Sequence, residues 1–71
     1  MNAKKVFNSL YDECYRIIHE VSRENIDAQT KKFIRIKSIM RRLNMDYCLN
    51  EVVDFEHMDN LFFNNAYIEC K

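Results

Sequence analysis

Three cysteines, two histidines and eleven carboxylates are the groups in this chain with the most chemistry to offer, and their spacing decides which reactions are open to it. A metal centre needs several such ligands converging on one point. Cys14, Cys48 and Cys70 are scattered with no CxxC pair, and His19 and His57 stand far apart. Asp54 and His57 share a face if their segment is helical, a spacing that chance readily supplies. Cys14 and Cys48 fall on apolar faces and read as structural thiols, and Cys70 sits near the C-terminal end. Nucleophilic catalysis is no better supported. Ser9, Ser22 and Ser38 belong to no recognisable motif, and carboxylate neighbours such as Asp12 and Glu13 lie in solvated settings that would not raise a pKa. The expectation is a protein with no catalytic residue, no cofactor, no metal and no small-molecule substrate, hence not an enzyme.

The chain contains no glycine and no proline, and this absence narrows the field further. Phosphate-cradling loops and the sharp turns that present nucleophiles draw on glycine for positive φ. Rigid linkers and polyproline ligands need proline. An A- and T-rich coding sequence offers a bland explanation, because it depletes both residues and enriches Asn, Lys, Ile, Tyr and Phe, all plentiful here.

Seventy-one residues predict a single domain in which only about 60% of the unfolded chain's surface is buried and net stability is a few kcal/mol. Hydrophobic residues at 48% and charged residues at 31% fit a folded chain rather than a disordered one. The formal net charge is zero, so any electrostatic attraction must come from a local patch. The odd cysteine count, the lack of a signal-peptide core and the lack of any long apolar run point to a reducing, cytoplasmic location with no membrane segment.

Helical periodicity supplies the elements. From residue 3 to 24, Phe7, Leu10, Cys14, Ile17 and Val21 recur in steps of three and four, widened by Val6, Tyr11 and Ile18. Asp12, Arg16, Glu20 and Glu24 form the solvated face, and Tyr11 and Tyr15 lie at the stripe's margin. Asn25-Ile26-Asp27 breaks the period, and Asp27 is placed to cap a second helix over residues 28–43, packed antiparallel on the first. There Phe33, Ile36, Met40 and Leu43, flanked by Ile39, make the apolar face.

The rest of that second helix carries Lys31, Lys32, Arg35, Lys37, Arg41 and Arg42, with no acid between residues 28 and 45. At 100° per residue Lys31, Arg35, Ser38 and Arg42 oppose the apolar face, Lys37 and Arg41 form a second row, and Ile34 lies between the rows. An isoleucine set among cations marks a candidate contact surface. The alternative is a solubilising face whose last cations complement the helix dipole.

Charge then reverses. Asp46, Glu51, Asp54, Glu56, Asp59 and Glu69 face only Lys71 in the last third, which gives the basic helix a candidate acidic partner within its own chain. Cys48, Leu49, Val52, Val53 and Phe55 suit a helix starting near Asp46, although Glu56 falls toward its apolar side. Asp59 is placed to cap a further helix over residues 60–68, or Asn64-Asn65 to turn a short β-hairpin. The fold expected is all-α, a compact three-helix bundle with a fourth helix or a C-terminal hairpin as the alternatives.

Two functional classes follow. The first is a small regulator or adaptor that works by protein contact, with self-association into a homodimer covering the surplus aromatics of the last third; Asp54, Phe55, Phe62, Phe63 and Tyr67 are the candidate partner or dimer surface. The second is nucleic-acid binding through the basic helix, with Lys31, Ile34, Arg35, Lys37, Arg41 and Arg42 as the contact residues. A variant of it has the acidic face imitating nucleic acid, as small inhibitors from mobile elements do.

Overall fold

In a computed structural model of the chain, residues 2–68 are described, the side chain of Ile68 excepted. They form three α-helices: α1 (Ala3–Glu20), α2 (Ile26–Asp46) and α3 (Phe55–Ile68). Helices α2 and α3 both pack against α1, within extents of 42 × 19 × 14 Å. Among the described residues there is no strand, and no helix is long and apolar enough to cross a membrane.

The stripe read along α1 is the core. Phe7, Cys14, Ile17, Ile18 and Val21 are buried and Leu10 packs beside them. Asn2 caps the helix, its side-chain oxygen accepting the Lys5 N–H at 3.1 Å. The helix ends four residues before the expected Glu24, because Val21 turns extended (φ −65°, ψ 138°) and carries its side chain into the core. Asn25 stabilises the turn: its side chain accepts the Ser22 N–H at 2.7 Å and donates to the Glu20 carbonyl at 3.0 Å. Helix α2 therefore starts at Ile26. Asp27 is not its cap but a first-turn acid, where it complements the helix dipole.

Buried among the α1 and α2 side chains, the Cys14 thiol lies 3.7 Å from the Met40 sulfur. Burial pushes that thiol from an ordinary 9.0 up to about 11. A raised acid pKa stabilises the fold below the unfolded value and is lost above it, so this contribution holds to about pH 9 and declines toward pH 11. Urea unfolding of the parent chain should lose about 2–3 kcal/mol across that window beyond what Cys14→Ala loses. Identical pH slopes in the two proteins would contradict the assignment.

Helix α2 runs three residues past the expected Leu43 and closes in a Schellman arrangement, with the Leu49 N–H bonded to the Asn44 carbonyl at 3.1 Å. The αL position that glycine normally fills belongs to Cys48 (φ 50°), and Asn50 (φ 57°) takes a second. The chain thus makes a glycine-type turn without glycine. Asparagine adopts this geometry at lower cost than cysteine, so Cys48→Gly is expected to stabilise the protein by about 1 kcal/mol and Asn50→Gly by less. A lower urea midpoint for Cys48→Gly would refute that reading of the turn.

The helix expected to start near Asp46 does not form. Residues 47–54 are irregular, with Val52 97% exposed and Leu49 and Val53 half-buried against the core. The Asn44 side chain clamps this segment, accepting the Glu51 N–H at 2.9 Å and donating to the Glu51 carbonyl at 2.8 Å, while Lys4 pairs with Glu51 at 2.6 Å. The expected cap at Asp59 and the hairpin at Asn64-Asn65 are both replaced by a continuous α3. Asp54 takes the capping role, its carboxylate accepting the His57 N–H at 2.9 Å. Asn65 lies in helix and donates to the Ile18 carbonyl at 2.9 Å, satisfying a group that the end of α1 leaves unpaired. The fourth-helix alternative has no counterpart in residues 2–68, and Glu69, Cys70 and Lys71 lie outside the described residues.

Candidate partner-binding surface

Three contacts define the seam between α2 and α3. Phe33 stacks on Phe62 with centroids 4.7 Å apart, the Lys37 ammonium meets the Asp59 carboxylate at 2.5 Å, and the Arg41 guanidinium lies 4.5 Å above the Phe55 ring. As α2 numbers rise the α3 partners fall, so the two helices are antiparallel.

These contacts correct the expected sites. Lys37 is 9% exposed, its ammonium 4.7 Å from the Phe33 centroid and paired with Asp59, so it belongs to the interior and not to a free cationic row. The spacing Phe33, Lys37, Met40, Asn44 already placed it on the apolar stripe; its charge disguised it, because the neutralising acid is 22 residues away. Phe62, expected on a partner surface, is 1% exposed and central to the core. Phe55 is half-buried beneath Arg41, and Asp54 is engaged as a helix cap. The Asp54 carboxylate bonds the His57 backbone, and among the described residues no cluster of three or more His, Cys, Asp or Glu is placed to hold a metal.

The acids of the last third answer only part of the basic helix. Asp59 takes Lys37, Asp46 approaches Arg42 at 3.8 Å within α2, and Glu51 reaches across to Lys4 on α1. Among the described residues, Lys31, Lys32 and Arg35 have no ion pair and line an open depression of about 450 Å³. They form the free cationic patch.

A second surface lies on the side of the seam away from α1. The seam contacts and the 100° helical step put Ile34, Arg41 and Met45 there on α2, and Glu56, Phe63 and Tyr67 on α3. Ile34 is 55%, Phe63 47% and Tyr67 61% exposed. Phe63 meets Phe62 at 5.5 Å in a T-shaped contact that holds it against the core, and it lies parallel to Tyr67 at 6.5 Å. Tyr11 and Tyr15, at the stripe's margin, contact each other at 5.1 Å, and Tyr15 packs against the core; the hydrogen bond with Tyr11, followed by burial, raises the Tyr15 phenol above its ordinary range.

No protein family, curated protein or solved structure matches the chain. The surface must be read from its own chemistry. On this face an exposed aliphatic and two exposed aromatic side chains share the helices with the charged residues Lys31, Arg41 and Glu56.

Proposed function

We propose that this chain is a non-enzymatic binding protein, a small helical regulator or adaptor, that acts by protein contact through the outer face of the α2–α3 seam. The observation carrying this reading is the exposed Phe63 and Tyr67 stack, with Ile34 on the same side of the seam. Singly exposed apolar residues are ordinary, whereas aromatics pre-ordered beside an aliphatic and framed by both charge signs suit a partner that buries them.

Photo-crosslinking tests it directly. With Phe63 replaced by benzoylphenylalanine, irradiation of cells that make the protein should give a discrete protein adduct, while the same replacement at exposed His19 should give none. Adducts from both positions alike, or from neither, would remove the face from consideration.

A second reading rests on the cationic patch. Lys31, Lys32 and Arg35 remain available for phosphates, and Arg42 lies two turns further along the same helix face. Three phosphate contacts imply a slope of log affinity against log salt of about −2.7. Anisotropy of labelled duplex DNA and single-stranded RNA, titrated at low and near-physiological salt, separates the classes. Binding with that slope, lost in Lys31→Glu plus Arg35→Glu, would establish the nucleic-acid reading; no binding at low salt would dismiss it.

A further inference from the structure

The proposed face carries its own complement. On α2 it presents cations and an aliphatic group, Lys31, Ile34 and Arg41; on α3 it presents an acid and two aromatics, Glu56, Phe63 and Tyr67. The seam register, Phe33 with Phe62 and Arg41 with Phe55, places Ile34 and Phe63 within about 2 Å of the same height at 1.5 Å per residue. Arg41 and Glu56 are likewise nearly level, and Lys31 and Tyr67 differ by about 4 Å in height. Neither Arg41 nor Glu56 has an ion pair within the described chain.

We propose that the occupant of this face is the same face of a second copy of the chain, related by a two-fold axis running along the seam. The inference rests on reading the α2–α3 face as a protein-binding surface. Isologous contact allows two simple orientations, and the charges choose between them. An axis across the helices lays α2 on α2 and drives Lys31 toward the cationic Arg41 of the second copy. An axis along the seam lays α2 on α3, so that Ile34 meets Phe63, Arg41 meets Glu56 and Lys31 meets the Tyr67 ring of the second copy, each twice. The second arrangement buries the apolar centre and pairs Arg41 and Glu56, which have no ion partner among the described residues of one chain.

Sedimentation equilibrium into the high-micromolar range tests this. The parent chain should approach twice its 8.7 kDa mass. Arg41→Glu and Glu56→Arg should each weaken association at least about tenfold, since each places like charges in contact twice. Mixing the two single variants should restore it as a heterodimer, because both cross-chain contacts then join opposite charges. Contacts within one chain cannot produce that rescue. Helix content by circular dichroism checks that each variant folds; should either fail to fold, Phe63→Ser takes its place and should leave only monomer. A mass of 8.7 kDa throughout, or association indifferent to these changes, or no rescue on mixing, overturns the dimer. A monomer that still crosslinks from position 63 to a different protein keeps the face and loses the second copy, so the two proposals fail separately.

Discussion

Phe62→Ala is expected to unfold at least about half of the molecules at room temperature. Phe62 is 1% exposed, stacks on Phe33 at 4.7 Å, receives the edge of Phe63 and belongs to the same buried cluster as Ile17, Met40 and Met58. Truncating a buried phenylalanine costs about 3–5 kcal/mol from lost transfer energy and the cavity left behind. A chain of this length has about 3–5 kcal/mol in total. The two figures are equal, so no stability margin is left. Far-ultraviolet circular dichroism should show lost helix and no cooperative melt. The neighbouring Phe63→Ser, at a half-exposed site, should stay within about 1 kcal/mol of the parent. Native helicity and a near-parental melting midpoint in Phe62→Ala would mean that α3 is not anchored as described.

The second large effect concerns Lys37 and Asp59. The Lys37 side chain is 11% exposed and Asp59 38%, so removing the acid strands an ammonium against the Phe33 ring with little water to replace its partner. Breaking a fully buried pair from one side costs about 3–5 kcal/mol; Asp59 keeps solvent contact, which lowers the expected cost of Asp59→Ala to about 2 kcal/mol. Lys37→Met retains the packed stem and removes the charge, and is expected to be close to neutral. The double variant should then recover to within about 1 kcal/mol of the parent. Urea titrations of the four proteins close the cycle. A double variant as unstable as Asp59→Ala alone would show that Asp59 acts through something other than Lys37.

The helical class, α1, α2 and the helical reading of residues 60–68 within α3 were legible in the sequence. Phe7, Cys14 and Ile17 in α1, Val21 just past its end, and Phe33 and Met40 in α2 announce their burial by three-four spacing, and all are buried. Helix ends were less legible, since they depend on single side chains: Asn25 turns back onto α1 instead of Asp27 capping α2, and Asp54 rather than Asp59 starts α3. The stretch 47–54 misled because its apolar residues imitate a helical stripe. Its actual course depends on Asn44 clamping Glu51 and on Cys48 and Asn50 accepting positive φ, neither of which has a periodic signature.

Of the candidate surface, Lys31, Ile34, Arg35, Phe63 and Tyr67 could be named from the sequence and are exposed, whereas Lys37 and Phe62 were named and are buried. The physical reason is range. Periodicity is written by neighbours three and four residues apart, so the sequence alone determined which segments bury a stripe and that charge is sorted from a basic middle to an acidic end. Which cation meets which acid, and which aromatic faces water, depends on the antiparallel register of α2 and α3. Tertiary packing decided that register, through Phe33 on Phe62 and Lys37 on Asp59, contacts that join residues too far apart in the chain for any local pattern to record.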